Sequence, residues 1–211
     1  MKWKQVPLGP LQTNCYLVYA DDQSCLIVDP GDNPKKLIKM IDQLELKPEA
    51  ILLTHAHFDH IGAVDSIRDK YAIQVYIHDK EKDWLTDPAL NGSKHFMMQD
   101  SITARAADHL IKDEGEMSIG KFTFEVFETP GHSPGSISIN FPKDNFVIAG
   151  DALFNGSIGR TDLPGGNHNQ LIRSIHDRLL VLPEETEVLP GHGPTTTIGH
   201  EMDSNPFLNG F

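Results

Sequence analysis

Alternating apolar and polar positions divide the first part of the chain into strands and helices. Two apolar runs, NCYLVYA and SCLIVDPG, are separated by a short polar turn, which predicts a pair of neighbouring strands. Pro34 then stands where a helix would begin, and Leu37, Ile38, Ile41 and Leu44 follow at helical spacing. The first 45 residues therefore read as two strands followed by one helix.

The alternation continues to residue 79. A short buried strand is predicted for AILLTH, a helix for HIGAVDSIRDKY and a further strand for AIQVYIHD. Strands that alternate with helices predict α/β layering. The chain therefore belongs to the α/β class on its pattern alone.

Residues 80–117 break this pattern. Pro88, the Asn91-Gly92 pair and Gly115 interrupt any regular element, so we predict a lid or cap of short helices and loops there. Strands return afterwards in FTFEVFETPGH, SISINFP, NFVIAGD and TEVLPGH, and a helix, HNQLIRSIHDRLLVL, precedes the last of them. No linker, repeat or low-complexity tract divides the chain, so a single domain over residues 1–211 is the simplest interpretation.

Composition and charge exclude several classes of protein. The apolar fraction of 39% and the charged fraction of 23% are those of an ordinary soluble globular protein. No apolar run approaches the roughly 20 residues of a membrane span, and the N-terminus lacks the apolar core of a secretory signal, so we expect a cytoplasmic protein. A net charge of −12 without a Lys/Arg-rich patch argues against a nucleic-acid partner. Cys15 and Cys25 are expected to be buried and not to form a disulfide.

Candidate metal ligands follow four of the predicted strands. The first strand end carries a cluster within HAHFDH, and three later strand ends each carry one residue, next to small turn residues. Ligands of layered α/β folds bind beyond the carboxyl ends of the strands, so we expect these side chains to share one crevice. The seven residues are His55, His57, Asp59, His60, His132, Asp151 and His192.

Imidazole and carboxylate donors suit zinc, iron or manganese. Seven donors are too many for one tetrahedral ion, so we expect two divalent ions, with Zn²⁺ as the first choice and iron or manganese as alternatives. The first ion takes His55, His57 and His132, the second takes Asp59, His60 and His192, and Asp151 bridges them. Two metals about 3.5–4 Å apart are a recurrent hydrolytic arrangement.

Simpler interpretations of the same residues exist. Asp59 alone could cap a helix that starts at His60. His132 or His192, taken singly, would more often be an ordinary loop residue than a ligand. The conjunction of all seven positions at strand ends is what favours the metal site.

The motifs THAHFDHIGA, DPG at 29–31, PGH at 130–132, GD at 150–151 and GHG at 191–193 resemble those of the metallo-β-lactamase superfamily. The resemblance covers nearly the whole chain. It implies a four-layer αββα sandwich, and it implies the same division of the ligands between two metals.

Two further stretches, GDALFNGSIGRTDLPGG and GHGPTTTIGHEMDSNPF, are similar to the short single-domain form of the glyoxalase II branch. This resemblance implies hydrolysis of thioesters of the S-D-lactoylglutathione type by a hydroxide that bridges the metals. Asp59 would then orient the hydroxide or take its proton. The helical domain that grips glutathione in longer members is not expected here, so the carrier thiol stays open.

Arg160 is the candidate for substrate binding, because an acidic protein needs a local cation to hold a carboxylate. The alternative is a surface ion pair with Asp162. Phe96, Met97 and Met98 could line a pocket or form a dimer contact, although lid packing is the simpler interpretation. The oligomeric state is not predicted.

Other functions compete with thioester hydrolysis. A persulfide dioxygenase would hold one iron with His57, His132 and Asp151, the two-His-one-carboxylate set that activates oxygen. A lactonase would use the same metal ligands, whereas a β-lactamase of the best-known subclass would carry Cys where Asp151 stands. A nuclease would need a basic surface, which this sequence does not indicate. A non-enzymatic binding protein would be expected to have lost metal ligands, whereas all seven candidates are present. The expected partner is a small-molecule thioester, with no nucleic acid and no membrane.

Overall fold

The computed structural model describes residues 1–96 and 101–208. These residues fall into two compact units, Met1–Lys112 and Asp113–Phe211, and each unit contains one main sheet with its own helices. The single domain over residues 1–211 stays a prediction.

The first unit contains a sheet whose strands are neighbours in chain order. These strands are β1 (Lys2–Leu8), β2 (Thr13–Tyr19), β3 (Ser24–Val28), β4 (Lys47–Leu52), β5 (Gln74–His78) and β6 (His109–Ile111). Strands β1 to β3 pair antiparallel, and β3 to β6 pair parallel. The carboxyl ends of β3 to β6 therefore lie at one edge of this sheet.

Short helices accompany this sheet. They are α1 (Pro34–Gln43), α2 (Phe58–Ile61), α3 (Val64–Tyr71), a single 3₁₀ turn (Asp79–Glu81) and α4 (Ser93–Phe96). Helix α1 begins as predicted, because Pro34 supplies a preset φ and the Asn33 side chain accepts from the backbone N–H of Lys36 at 3.2 Å. Leu37 and Ile41 on its apolar stripe are completely buried in the core of this unit.

The second unit contains its own sheet, in the order β14-β13-β10-β9-β8-β7, and a small separate hairpin of β11 and β12. The strands are β7 (Gly115–Ile119), β8 (Phe122–Glu128), β9 (Ile137–Phe141), β10 (Phe146–Gly150), β11 (Leu153–Phe154), β12 (Ser157–Ile158), β13 (Glu187–Pro190) and β14 (Thr196–Thr197). Strand β9 is antiparallel to β8 and β10, while β13 is parallel to β10. Strands β8, β10 and β13 thus run in the same direction.

Helix α5 (His168–Ser174) continues as one π-helical turn (Ile175–Leu179), and α6 (Ile198–Ser204) follows β14. Leu171, Ile175 and Leu179 are completely buried in the apolar core of the second unit. The helix predicted for HNQLIRSIHDRLLVL is therefore present, with a change of helical pitch near its middle.

Several elements differ from the prediction. Strand β1 was not predicted, because only Val6 and Leu8 of its seven residues are buried. The helix predicted from His60 onward is two helices, which are separated at Gly62. The segment 80–117, predicted as a cap of helices and loops, also contains strand β6 and the start of β7. Strand β6 is an edge strand of the first unit's sheet, and β7 is an edge strand of the second unit's sheet. Met97 and Met98 lie outside the described residues.

Cys15 and Cys25 are buried and free, as predicted. Cys15 faces Val6 across the β1–β2 pair, and Cys25 faces Tyr19 across the β2–β3 pair, so the two thiols are not opposite each other. Across residues 1–96 and 101–208, no helix has the length and apolar character needed to cross a bilayer.

Candidate metal centre

The ligand turn of the first unit begins directly after β4. His55 and His60 are completely buried, and His57 is 6% exposed. The His55 ring lies edge-on to the His57 ring at 4.9 Å between centroids, and it lies 4.1 Å from the His60 ring. The fold thus gathers three imidazoles from six residues of chain into one buried cluster.

Asp59 does not cap a helix that begins at His60. Helix α2 begins at Phe58, and His57 occupies the N-cap position without a side-chain cap bond. The Asp59 carboxylate instead accepts a hydrogen bond from the Thr13 hydroxyl at 2.7 Å, and its Oδ2 lies 3.6 Å from His60 Nε2. The helix-cap interpretation is therefore wrong, and Asp59 presents its carboxylate beside His60.

Asp29 holds this turn from behind. Its Oδ1 accepts from the backbone N–H of Thr54 at 2.8 Å, and its Oδ2 accepts from the Thr54 hydroxyl at 2.6 Å. The same Oδ2 lies 3.0 Å from His60 Nδ1. Asp29 is buried and has a left-handed backbone, with φ of 50°. Asp29 is the first residue of the DPG motif after β3, and its left-handed backbone places the carboxylate against the ligand turn, residues 55–60.

These hydrogen bonds determine which nitrogen of each histidine carries the proton. An ionised carboxylate only accepts, so His60 Nδ1 donates to Asp29. The Thr54 hydroxyl uses its one proton toward Asp29, and therefore the 3.1 Å contact between His55 Nδ1 and Thr54 Oγ1 has the histidine as donor. With Nδ1 protonated in both rings, Nε2 carries the lone pair that a metal requires.

Two glycines let helix α2 approach the DPG motif. A Cβ on Gly31 would lie 1.8 Å from the carbonyl oxygen of Asp59, and one on Gly62 would lie 2.4 Å from the carbonyl oxygen of Gly31. Neither position has room for a side chain. The ligands on α2 are therefore placed by backbone packing against the loop that follows β3.

The second unit brings together the other three predicted ligands. His132 follows β8, Asp151 follows β10 and His192 follows β13, so all three lie at the carboxyl ends of strands that run in the same direction. Asp151 Oδ2 lies 3.5 Å from His132 Nε2 and 3.6 Å from His192 Nε2. Two donors on one tetrahedral zinc are about 3.4 Å apart for bonds of roughly 2.1 Å, so these distances suit metal ligands.

His132 is oriented by a main-chain acceptor. Its Nδ1 lies 2.8 Å from the carbonyl oxygen of Arg160, which makes Nδ1 the donor and leaves the lone pair on Nε2. Gly159 makes this approach possible, because a Cβ there would lie 1.8 Å from the carbonyl oxygen of Asp151. On the other side of Asp151, the Phe154 ring contacts the His192 ring edge-on at 6.1 Å.

The Arg160 guanidinium is paired with Asp162. Nε and Nη2 each donate to a carboxylate oxygen of Asp162 at 2.8 Å, and both side chains are more than half exposed. The paired guanidinium lowers the pKa of the Asp162 carboxyl to about 2. The ion pair expected as the alternative is thus present, and a role in substrate binding stays a prediction.

The donors present fit divalent metal ions. Each unit offers imidazole nitrogens and a carboxylate, and hydrogen bonds fix the protons of His55, His60 and His132 on Nδ1. Asp29, His55 and His60 also have potential ligand atoms within 4.8 Å of one another. Asp29 already accepts three hydrogen bonds, so its chemistry is that of a residue that supports ligands.

Comparison with known proteins identifies the family. The sequence profile of the metallo-β-lactamase superfamily matches residues 8–192. The chain belongs to this superfamily, and the predicted fold class is confirmed. It is a metallo-hydrolase whose His and Asp groups could bind metal.

Individual relatives match along their whole length. The chain is 55% identical over 211 residues to the probable metallo-hydrolase YqgX of Bacillus subtilis (strain 168), covering 100% of this chain and 99% of that one. It is 36% identical over 205 residues to hydroxyacylglutathione hydrolase GloC of Haemophilus influenzae, covering 97% of this chain and 96% of that one. The finer subtype does not follow, because the more similar of the two carries the less specific name.

Two solved structures have the same fold. The BLEG-1 B3 metallo-β-lactamase aligns with a TM-score of 0.96 and 57% identity, covering 99% of this chain and 100% of that one. TTHA1623, solved in a di-iron-bound form, aligns with a TM-score of 0.87 and 42% identity, covering 97% and 100%. A similar protein thus holds iron, and the imidazole and carboxylate donors of this chain suit zinc, iron and manganese alike.

Sequence reasoning missed the residues that support the ligands. Thr13, Asp29 and Thr54 hold the first cluster, and the fully buried Glu81 accepts from the backbone N–H of Ala56 at 2.8 Å. The available signal was Asp29 itself, an acidic residue between a buried strand and a Pro-Gly turn. Nothing in the local sequence of Thr13 or Glu81 indicated its partner.

Proposed function

We propose that this protein is a binuclear metal-dependent hydrolase that cleaves thioesters of the hydroxyacyl-thiol type. The observation that carries the proposal is that Nδ1 of each of three histidines donates a hydrogen bond, which leaves the lone pair of each ring on Nε2, the nitrogen that a metal would bind. These histidines are His55, His60 and His132. The proposed metal ligands are His55, His57, Asp59 and His60 in the first unit and His132, Asp151 and His192 in the second. The 36% identical relative named hydroxyacylglutathione hydrolase supports this choice of substrate class.

The residues of the chain have distinct roles in this reaction. Bound divalent ions supply an activated water and polarise the substrate carbonyl. Asp59 accepts the proton of the attacking water, and the Thr13 hydroxyl, 2.7 Å away, holds the Asp59 carboxylate in one orientation. The thiol that leaves has a pKa of about 8.5, so its thiolate departs without a general acid. The site needs no further proton donor.

Metal analysis combined with an activity assay tests the proposal. We expect about two metals per chain by mass spectrometry and metal-dependent cleavage of S-D-lactoylglutathione. His57→Ala should lose activity on the order of 100-fold or more together with metal, whereas His168→Ala, at the exposed start of α5, should retain both. Full activity in a metal-depleted His57→Ala protein would refute the scheme.

A second candidate reaction is cleavage of β-lactams. The observation that favours it is the 57% identity to the BLEG-1 B3 metallo-β-lactamase. Nitrocefin turnover, measured on the same preparation as thioester turnover, separates the two candidates. A kcat/KM for nitrocefin well above that for any thioester would replace the thioesterase proposal.

An oxygen-using reaction is distinguished by the metal content. A persulfide dioxygenase would hold a single iron with His57, His132 and Asp151, a two-His-one-carboxylate set that leaves positions open for oxygen. One iron per chain, no thioester cleavage and oxygen uptake with glutathione persulfide would favour it. Zinc in both positions with no oxygen uptake would remove it.

Arg160 is proposed to bind a substrate carboxylate in exchange for Asp162. Both side chains are charged at neutral pH, because the pKa of Asp162 is lowered to about 2. Asp162→Asn should free the guanidinium and lower KM for S-D-lactoylglutathione, and Arg160→Ala should raise it. An unchanged KM in both variants would leave Arg160 with only its ion pair and the carbonyl that orients His132. A small-molecule thioester in the cytoplasm is the proposed setting.

A further inference from the structure

An apolar cavity of about 260 Å³ opens beside Asp59 in the first unit. Its apolar lining comes from the β1–β2 turn, helix α2, helix α4 and the segment that follows residue 100. The residues are Leu8, Pro10, Leu11, Phe58, Phe96 and Ile102. The volume lies just below the roughly 300–1,000 Å³ of pockets that hold whole ligands, so it suits one part of a substrate.

The rim of this cavity presents apolar side chains to solvent. Leu11 is 52% exposed and Phe96 is 48% exposed, although both are large and apolar. The Phe96 ring stacks on the Phe58 ring at 5.9 Å between centroids. Phe58 lies between two proposed ligands, His57 and Asp59, so the stacked rings extend from the ligand turn to the surface.

Charge determines which part of a substrate fits. The charged residues among the described lining are Asp32 and Asp59, and both are acidic. A carrier with carboxylates, such as glutathione, would be repelled there, whereas a hydrocarbon group would be desolvated favourably. The Thr13 hydroxyl donates to Asp59, so its proton is not available to a ligand in the cavity.

We propose that this cavity binds the acyl side of the substrate as an uncharged hydrocarbon group. The proposal rests on the proposed thioester hydrolysis and names its substrate class: acyl groups longer than lactoyl, with an apolar chain. The attacked carbonyl then lies by Asp59, and the acyl chain runs toward Leu11 and Phe96.

A series of thioesters on one carrier tests the acyl assignment. With acetyl-, butanoyl- and hexanoyl-glutathione, kcat/KM should rise by about threefold to fourfold per added methylene until the cavity is filled. Acetate thioesters of ethanethiol and butanethiol should show no such rise, because there the thiol is lengthened. A flat acyl series, or a rise only with the thiol, overturns the proposal.

Substitutions at the rim locate the effect. Leu11→Ser and Phe96→Ala should each flatten the dependence on acyl length, and their exposure limits any effect on folding. Val181→Ser is the matched control, since Val181 is 69% exposed and belongs to the second unit. The control should reproduce the acyl series of the parent protein. A steep series that survives both rim substitutions places the acyl group elsewhere.

A binding measurement keeps this inference separate from the proposed reaction. 1-Hexanol, followed by saturation-transfer NMR on the protein as purified, should bind, and Leu11→Asp should weaken its Kd by at least about tenfold. If thioesters are cleaved but the series is flat and hexanol does not bind, the cavity assignment fails and the reaction stands. If hexanol binds in this Leu11-dependent way but no thioester is cleaved, the result supports the apolar binding site and refutes thioester hydrolysis.

Discussion

Asp29 accepts hydrogen bonds from both Thr54 and His60, directly beneath the turn that carries four proposed ligands. A non-glycine residue in a left-handed conformation costs of order 1–3 kcal/mol and persists only where its surroundings require it. Here the surroundings require one carboxylate oxygen to accept from the Thr54 backbone N–H and the other to accept from the His60 ring. The carboxylate thereby sets the tautomer of His60 and, through Thr54, that of His55.

We expect Asp29→Asn to weaken metal binding by about 10–100-fold. One side-chain oxygen becomes an amide nitrogen that donates, so it opposes either the backbone N–H of Thr54 or both the Thr54 hydroxyl and the Nδ1 proton of His60. Competition with a chromogenic chelator measures the change in metal affinity. Asp42→Asn, the same substitution on an exposed carboxylate of α1, is the matched control and should leave the affinity unchanged.

Metal affinity equal to that of the parent protein in Asp29→Asn would contradict this role. Asp29 would then serve only to close the turn after β3. Circular dichroism on the same variant separates loss of ligand support from loss of the turn itself, because a collapsed turn would also reduce the content of secondary structure.

The ligands themselves were predictable, but their supports were not. His55, Asp151 and His192 stand at the ends of apolar runs, and a strand end is a local property of the sequence. Thr13 is 46 positions from Asp59, to which it donates, and neither neighbourhood indicates the other. Such contacts depend on which loops meet, and that is decided by the packing of the whole unit.

At the scale of elements, helix α2 is held against the DPG loop through glycine. We expect Gly31→Ala to lower the free energy of unfolding by about 3 kcal/mol, because its Cβ would overlap the carbonyl oxygen of Asp59 and force α2 away. Gly156→Ala is the comparison, since its Cβ would meet nothing within 4 Å and only its φ of +68° is unfavourable. That variant should lose about 1 kcal/mol.

Urea unfolding of both variants provides these values, and chelator competition adds a second readout. Gly31→Ala should lose metal affinity as well as stability, because α2 carries Asp59 and His60, whereas Gly156→Ala should retain its affinity. Equal losses of stability in the two variants would show that α2 moves freely and that close packing does not place it.

The elements that were missed share a physical reason. Strand β1 alternates exposed and half-buried positions and buries little apolar area, so its pattern resembles a loop. Strand β6 has three residues and lies at the end of the sheet beside β5, where pairing with a neighbour stabilises it more than its own sequence does. Strand β10 is a continuous apolar run, FVIAG, and β4 ends in the apolar residues AIL, so the sequence predicts both strands directly.

At the scale of the whole molecule, burial determines the chemistry of the cysteines. Burial raises the pKa of the Cys15 and Cys25 thiols above the ordinary value. The thiolate is the reactive form, so we expect no alkylation of the native protein by iodoacetamide at pH 8 and two modifications per chain in denaturant. Mass spectrometry counts them, and a modified native protein with full secondary structure would contradict the expectation.

The same shifts predict how stability changes with pH. A thiol whose pKa is raised on folding binds its proton more tightly in the folded state. This contribution is complete below about pH 8.5, the ordinary thiol value, and is lost as pH rises above it. Cys25→Ala should therefore reduce the loss of stability between pH 8 and pH 10, measured by urea unfolding, while a slope equal to that of the parent protein would assign the loss to other groups.

Metal removal tests whether the ligands of the two units serve the same ions. A ligand that binds only the folded state stabilises it by about 4 kcal/mol at 1,000 times its Kd. For a chain of this size each kcal/mol shifts Tm by roughly 2–4 °C, so a strong chelator should lower Tm by about 8–16 °C. Differential scanning calorimetry with and without chelator measures the shift, and added metal should restore the original Tm.

Single-ligand variants make this result specific to the proposed centre. If His57 in the first unit and His132 in the second bind the same ion, then His57→Ala and His132→Ala should each remove most of the chelator-dependent shift. Metals held separately would give a different outcome, because each variant would lose only part of the shift and the two losses would add to the whole. The double variant distinguishes the cases: its shift should equal that of either single variant for a shared centre, and should fall well below both for separate sites.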